Sequence, residues 1–280
     1  MTEASEPKPH ITTVEAKLDA LRRCLQAMQQ VTVAVSGGVD SMTLATVAHQ
    51  TLGHKAHMVH AVSAAVPAAD SARVAEYAKT QQWHFTTVQT GEIDTPNYQQ
   101  NPVNRCYFCK SCLYSTLEQL DVGQVVSGTN TDDLGDYRPG LIAAKEHRIR
   151  HPYVEANISK AEVRAIAKFL GLSELSELPA SPCLASRVET GTVIQPAQLL
   201  LINRVETWLR AQIGGENIRC RLSASHIELQ LDAALLSQLS AAVQQQLIDR
   251  VHAMAKDAGW QLPVTINSYQ RGSAFIRKVS

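Results

Sequence analysis

Hydrophobic positions along the chain follow two alternating periods. Val14, Leu18, Leu21, Leu25 and Met28 recur at alternating spacings of four and three, which predicts a helix with one buried face. The β-branched run at 31–35 then reads as a buried strand. Residues 41–52 read as a helix stopped by Gly53, residues 56–62 as a second strand, and the Ala-rich stretch 68–82 as a second crossover helix. Residues 84–88 give a third strand, 106–120 a further helix and 124–127 a fourth strand.

Strands alternating with helices imply βαβ units, so the fold class expected is α/β, a parallel sheet sandwiched by helices. Ligands in such sheets bind beyond the carboxyl ends of the strands. The loops after Val35, Val62 and Ser127 are therefore where chemistry is expected. Ser159-Lys160-Ala161-Glu162 is a capping box opening a helix to Leu170, with Gly171 as its stop. From 173 to 196 the chain turns to Ser, Pro and Gly, with Cys183 inside, which predicts a linker or an active-site loop. Beyond it the pattern changes: a helix over 196–212, then alternating strands over 218–222 and 226–231. This places a first domain over residues 1–178 and a smaller α+β domain over 179–280 that contributes the Cys183 loop.

The chain has 280 residues, 45% hydrophobic and 19% charged, as expected of a globular enzyme. Lys plus Arg and Asp plus Glu number 26 each, which disfavours a broad nucleic-acid surface. Residues 1–11 are polar, carry Pro7 and Pro9 and have no apolar core, so they predict a loose tail and not a secretory signal. With no apolar run of membrane-spanning length, the expectation is a cytoplasmic protein without a membrane partner.

The strand at 31–35 runs into Ser36-Gly37-Gly38-Val39-Asp40-Ser41 and then into a helix. Glycines let the backbone approach an anion, and the free N–H groups and dipole of the helix start point at it. Ser36 and Ser41 add hydroxyls. Asp40 would repel a bare phosphate, so it is expected to position Mg²⁺ or an N–H. No Walker-type G-x-x-x-x-G-K-[ST] and no G-x-G-x-x-G is present, which disfavours both alternatives for nucleotide binding. The segment resembles the pyrophosphatase loop of GMP synthetase, NAD synthetase, asparagine synthetase and several tRNA-thiolating enzymes. The resemblance implies cleavage of ATP to AMP and pyrophosphate.

Six cysteines are present, and Cys106, Cys109 and Cys112 form C-x-x-C-x-x-C. Clustered cysteines in a cytosolic chain favour metal or redox chemistry over disulfides. Residues three apart on a helix share a face, so Cys106 and Cys109 can reach one centre, and Cys183 can fold back onto it. On a helix Cys112 would sit roughly 9 Å along the axis from Cys106, far for one cluster. Cys106, Cys109 and Cys183 are thus the preferred ligand set, Cys112 staying open as a buried thiol. Three thiolates suit a [4Fe–4S] cluster with one open iron; a Cys₃His zinc site lacks an evident His. Cys24 reads as plain core or surface, and Cys220 as core.

Four segments together are more selective than the loop alone: Ser36–Ser41, Cys106–Lys110, Ser127–Gly140 and Ser181–Arg187. In combination they resemble the LarE family of ATP-dependent sulfur transferases, over about residues 21–277. That resemblance implies adenylation of a carboxylate of pyridinium-3,5-biscarboxylic acid mononucleotide, then replacement of the activated oxygen by sulfur, for a nickel-pincer nucleotide. Some members sacrifice a cysteine at the position of Cys183; others carry the C-x-x-C cysteines and a [4Fe–4S] cluster. Cys106 and Cys109 favour the second version. ATP, Mg²⁺ and the cluster are the cofactors implied, and a homo-oligomer the assembly.

Beside the resemblance, residue roles have physical arguments. Ser36, Gly37, Gly38, Asp40 and Ser41 would cradle the pyrophosphate. Ser63 and Gly128 follow the second and fourth strands, where a nucleotide would approach. Lys110 can neutralise a phosphate or carboxylate, or be a solvated helix lysine. Asp136 and Arg138 lie in a turn, where the guanidinium fork of Arg138 would clamp a phosphate. Ser186 and Arg187 would position the acceptor. Alternation puts Arg219 and Arg221 on one strand face, suited to a mononucleotide phosphate or simply solvated. The resemblance also implies Glu206 and Glu228 as a divalent-metal pair. Two rival readings are a tRNA-thiolating enzyme with a cysteine-held cluster and a non-catalytic nucleotide or iron–sulfur module.

Overall fold

A computed structural model describes residues 13–135 and 138–274. The expected N-terminal tail, Asp136 and the last expected family residues up to 277 lie outside the described residues. Helix α1 (Val14–Met28) is capped by the Thr13 hydroxyl and buries Leu18, Leu21 and Leu25, the predicted face. Strand β1 (Val31–Ala34) leads into α2 (Val39–Leu52), which begins two residues before the predicted start because Gly38 serves as its N-cap. Strand β2 (Ala56–Ala61), α3 (Ala68–Thr80) and β3 (His84–Val88) follow as the pattern requires. A one-turn α4 (Pro96–Gln99) precedes α5 (Arg105–Glu118), which carries the cysteines, and then β4 (Gln124–Val126).

The sheet order is β3-β2-β1-β4, parallel throughout. Alternation along the strands sends side chains to two cores. Met58 and Val126 join α1, α2 and the helix at 160–169 in one cluster. Val59 and Val125 join Tyr114 and Leu117 of α5 and Ala143 and Ala144 in the other. Helix α2 is buried almost all round, from Ser41 to Ala48, because it lies between the sheet and its neighbouring helices. This wrapping explains why it shows no polar stripe.

After β4 come α6 (Pro139–Glu146), α7 (Pro152–Glu155), α8 (Lys160–Phe169) and α9 (Ser173–Ser176). The capping box of α8 is formed as predicted, with Ser159 and Glu162 satisfying each other's amides. The segment 173–196 is more than a linker: it holds α9 and a turn at Leu184–Arg187 whose residues are all buried.

The C-terminal part comprises α10 (Pro196–Ile213), β5 (Arg219–Leu222), β6 (Ile227–Leu231), α11 (Ala233–Gln238), α12 (Ala241–Asp257) and β7 (Val264–Ser268). A second sheet has the order β5-β6-β7, with β5 antiparallel and β7 parallel to β6. Its core contains Cys220, Leu229, Val205 and Val251, and also Ala65 and Tyr98 from the loops after β2 and β3. The second core therefore begins at the carboxyl edge of the first sheet, and the Cys183 loop runs between the two.

Candidate active site

The loop after β1 forms a cradle at the start of α2. Gly37 adopts φ +87, a left-handed conformation open to glycine, and a Cβ there would meet Cβ and the carbonyl oxygen of Asp70 at 2.8 Å. The Ser41 hydroxyl accepts from the Ser36 amide at 3.0 Å and donates to the Gly38 carbonyl at 3.2 Å, and the Ser36 and Ser41 hydroxyls sit 3.1 Å apart. The serines therefore shape the loop as well as lining it. The loop's trailing strand is pinned by His60, whose Nδ1 donates to the Val35 carbonyl at 2.8 Å. That fixes the tautomer, so Nε2 accepts from the Ser71 hydroxyl at 2.9 Å.

Asp40, in the first turn of α2, is neutralised within the protein. Its carboxylate pairs with Lys160 at the start of α8 and accepts from Asn130 Nδ2 at 3.2 Å. The Tyr153 hydroxyl donates to its backbone carbonyl at 3.0 Å. Gly128 also packs closely here: a Cβ would lie 2.9 Å from the Ser41 amide and 3.1 Å from Asp40 Cβ. The chain after β4 passes too close to α2 for any side chain. Ser63 closes its own turn by accepting from the Ala65 amide at 3.1 Å. Ser127, one residue before Gly128, shares a 2.9 Å hydrogen bond with His151 Nδ1, and burial holds the His151 pKa below the ordinary histidine value.

The Cys183 loop is tied down over this edge. Leu184 N–H donates to the Ala65 carbonyl at 2.7 Å, and Ser181 Oγ donates to Asp70 at 2.7 Å. Cys106 and Cys183 are exposed, while Cys109 is half-buried. The surrounding protein and then the Cys183 thiol push the Cys106 pKa up, while Arg105, Lys110 and Arg138 pull it down. Burial pushes Cys109 up to about 12, against Lys110 and with smaller contributions from Cys183 and Cys106. Cys183 therefore lies close enough to act on both Cys106 and Cys109. Cys112 is turned elsewhere, its sulfur 3.7 Å from the Thr95 hydroxyl. Among the described residues, no group of three or more His, Cys, Asp or Glu side chains is placed to hold a single metal ion.

Lys110 is half-buried with its ammonium 5.8 Å from the Tyr114 ring centre. Tyr114 first, and then the three thiols, raise its pKa against the opposing effect of burial. It is a cation in the cysteine neighbourhood, not a solvated helix lysine. Arg138 forms a 2.8 Å ion pair with Asp133 at the same mouth.

Arg187, Arg219 and Arg221 form a buried cluster, so the solvated strand face is not what the structure contains. Arg187 grips Glu206 through two bonds of 2.9 and 3.0 Å, with both side chains only 2% exposed. Its remaining amino group donates to the Pro182 carbonyl at 2.6 Å and to Ser186 Oγ at 3.0 Å. Arg221 donates to the Ser186 carbonyl at 2.9 Å, and Arg219 lies 5.6 Å from the Tyr269 ring centre. Burial, and then Arg187, depress the pKa of both. Arg187 bonds to Glu206, whereas Arg219 donates to backbone carbonyls and Arg221 to Gln230 and to carbonyls, so the buried cluster carries an excess of positive charge.

Glu206 also accepts from Arg210 at 3.1 Å and from the Cys220 amide at 3.0 Å. Both its oxygens are engaged, so it acts as counter-ion to the arginines. Glu228 accepts from Gln230 and Asn267 at 2.9 and 2.6 Å. The two glutamates thus have separate protein partners. Arg187, Arg221, Ser223, His226, Glu228 and Ser273 border a cavity of about 40 Å³.

Asp70, Arg73 and His151 were not singled out in the sequence, and Ser181, Asn130 and Lys160 stood there only inside motifs, without a role of their own. Lys160 had one available signal: it directly follows the Ser159 cap, so it must stand at the mouth of α8. Asp70 and Arg73 had none, because their partners are far away in sequence.

The architecture is that of an ATP-utilising pyrophosphatase-loop domain: a parallel sheet, an anion cradle after its first strand and covered helices on both faces. The asparagine synthase family model matches residues 14–100. The chain is 40% identical over 232 residues to an uncharacterised protein of Synechocystis sp., covering 80% of this chain and 85% of that one. It is 27% identical over 261 residues to the pyridinium-3,5-bisthiocarboxylic acid mononucleotide synthase of Lactiplantibacillus plantarum, covering 90% of each. An uncharacterised protein of Methanocaldococcus jannaschii is 35% identical over 120 residues, 41% of this chain and 46% of that protein. The chain belongs to the LarE family of pyrophosphatase-loop proteins. Among the described residues, no helix is long and apolar enough to cross a membrane.

Proposed function

We propose that this protein is an ATP-dependent sulfurtransferase acting on a carboxylate of pyridinium-3,5-biscarboxylic acid mononucleotide. The observation carrying the reading is that the Cys183 loop is tied on one side to Asp70 beside the anion cradle and on the other to the buried Arg187. In the first step a carboxylate oxygen of the acceptor attacks the α-phosphorus of ATP. A new O–P bond forms, the α–β bridging bond breaks, and pyrophosphate leaves with the electron pair. The Gly38 region and the α2 amides stabilise the leaving charge, with Ser36 and Ser41 beside them. In the second step a sulfur nucleophile attacks the acyl-adenylate carbon, a C–S bond forms, and AMP departs with the C–O electron pair.

Ser63 and Gly128 border the adenosine side, and Arg138 and Lys110 supply positive charge near the reacting groups. Ser186, Arg187, Arg219 and Arg221 would hold the acceptor's phosphate, a role supported by their excess of buried positive charge. Mg²⁺ would offset the charge of the leaving pyrophosphate, with Asp40, paired to Lys160 in this structure, as its candidate carboxylate. Domains 1–178 and 179–280 then divide the labour between nucleotide and acceptor, in a homo-oligomer.

Cys106, Cys109 and Cys183 would hold an iron–sulfur cluster: thiolate is the donor such a cluster takes, and Cys106 and Cys109 share one helix face. A [4Fe–4S] cluster held by them would supply the sulfur nucleophile. Anaerobic purification with iron and acid-labile sulfide assays, before and after Cys183→Ala, tests the ligand set. Mass spectrometry of the acceptor tests the function: sulfur must replace oxygen. Iron-free protein whose Cys183 becomes dehydroalanine in turnover would replace the cluster with the sacrificial route. An acceptor unchanged under either condition would refute the reading.

A further inference from the structure

Asp70 stands in the first turn of α3, 4% exposed, and its two carboxylate oxygens face different loops. Oδ1 accepts from Arg73 Nη1 at 2.7 Å, and that same nitrogen donates to the Gly37 carbonyl at 2.8 Å. Oδ2 accepts from Ser181 Oγ at 2.7 Å, two residues before Cys183. One buried carboxylate therefore joins the pyrophosphate loop to the cysteine loop.

The bond to Gly37 has a directional consequence. In a trans peptide the C=O and the following N–H point opposite ways. With the Gly37 oxygen held by Arg73, the Gly38 N–H points away from Arg73, to the side where an anion binds. An anion accepting from that N–H polarises the Gly37 carbonyl and strengthens its bond to Arg73. Flipping the peptide would remove both at once. The snug fit of Gly37 against Asp70, 2.8 Å for an added Cβ, leaves no slack between the loop and α3.

We propose that Asp70 is a positioning residue that couples occupancy of the pyrophosphate loop to the placement of the Cys183 loop. Nucleotide at the loop locks the Gly37–Gly38 peptide, Arg73 and Asp70 carry that order to Ser181, and the segment bearing Cys183 is held over the bound nucleotide. When the loop is vacant the tie is weaker and the segment opens more often. The inference rests on the proposed function only in giving Cys183 a chemical task; the coupling itself needs no acceptor.

The test is hydrogen exchange of amides 183–188 in the full chain, with and without Mg²⁺ and α,β-methylene-ATP, alongside nucleotide titration. In the wild type the nucleotide should slow exchange of these amides by about fivefold or more, the scale of one charge-assisted hydrogen bond. In Ser181→Ala the nucleotide should bind within about twofold of wild type, yet the slowing should vanish. Ser181→Thr, which keeps the hydroxyl, should restore it. Asp70→Asn should weaken nucleotide binding by about tenfold and reduce the slowing, since the Arg73 pair is weakened. An unresponsive loop in the wild type, or a full response in Ser181→Ala, would overturn the proposal. Failure of the sulfurtransferase reading would appear separately, as absent AMP formation or an acceptor without sulfur.

Discussion

Replacing Glu206 by Gln removes the carboxylate that pairs with Arg187 beside Arg219 and Arg221. Arg187 and Glu206 are each 2% exposed and joined by bonds of 2.9 and 3.0 Å, so solvent cannot replace the lost charge. Glu206 also accepts from Arg210 and the Cys220 amide. A Gln has one acceptor atom for these four donors, and its amide N–H₂ would face at least one of them. Breaking a buried pair on one side costs about 3–5 kcal/mol, because an unpaired charge remains buried. The expected loss in urea denaturation is therefore about 3–5 kcal/mol, larger than the roughly 1 kcal/mol of an average substitution. The double variant Arg187→Met, Glu206→Met should recover part of it, since apolar groups need no partner. The pH dependence has a definite sign. Burial tends to raise the Glu206 pKa, but Arg187, the Cys220 amide and Arg210 outweigh it and hold it below the ordinary value. Its stabilisation is thus present above the unfolded carboxylate pKa and lost as pH falls through the lower folded value. A Glu206→Gln loss under about 1 kcal/mol, or a loss unchanged in acid, would refute the picture of Glu206 as the cluster's counter-ion.

Gly37→Ala should leave the chain folded but weaken ATP binding by at least about tenfold in titration, since the left-handed conformation and Asp70 both exclude a Cβ. Lys160→Met should leave Asp40 negative beside the anion cradle and lower ATP affinity by roughly five- to tenfold, an effect that shrinks with added salt. Burial, and then the bond to Glu155, push the Cys24 thiol up to about 12, so site-resolved alkylation at pH 8 should find Cys24 far slower than a free thiol. Cys24→Ala should keep full activity.

The nucleotide-binding half was largely legible because its signals are local. A strand, a glycine pair and a helix start adjoin in sequence, and the capping box of α8 is complete within four residues. The parallel sheet followed from crossover logic; its order, with β1 between β2 and β4, came from the fold. Boundaries shifted where capping decided them: Gly38 starts α2 earlier than its apolar pattern suggested. Helix α12 and strand β7 were not read, since β7 pairs with β6 only after the α11–α12 crossover brings it back. The cysteine cluster was found by spacing, and the Cys112 sulfur lies 3.7 Å from the Thr95 hydroxyl. Charges were the hardest. Alternation placed Arg219 and Arg221 on one face but could not show that face to be buried, nor that Glu206 on α10 answers Arg187. The Asp40–Lys160 and Asp70–Ser181 ties join positions with no shared pattern, and only the folded chain brings them together.

The central claim is that amides at the start of α2 hold a departing pyrophosphate while an acceptor carboxylate is activated. Incubating the purified protein with Mg²⁺, ATP and pyridinium-3,5-biscarboxylic acid mononucleotide, and resolving the nucleotide products, addresses it directly. The account predicts AMP and pyrophosphate in equal amounts, dependent on the acceptor and abolished in Gly37→Ala. ADP and orthophosphate, or intact ATP under the same conditions, would contradict it.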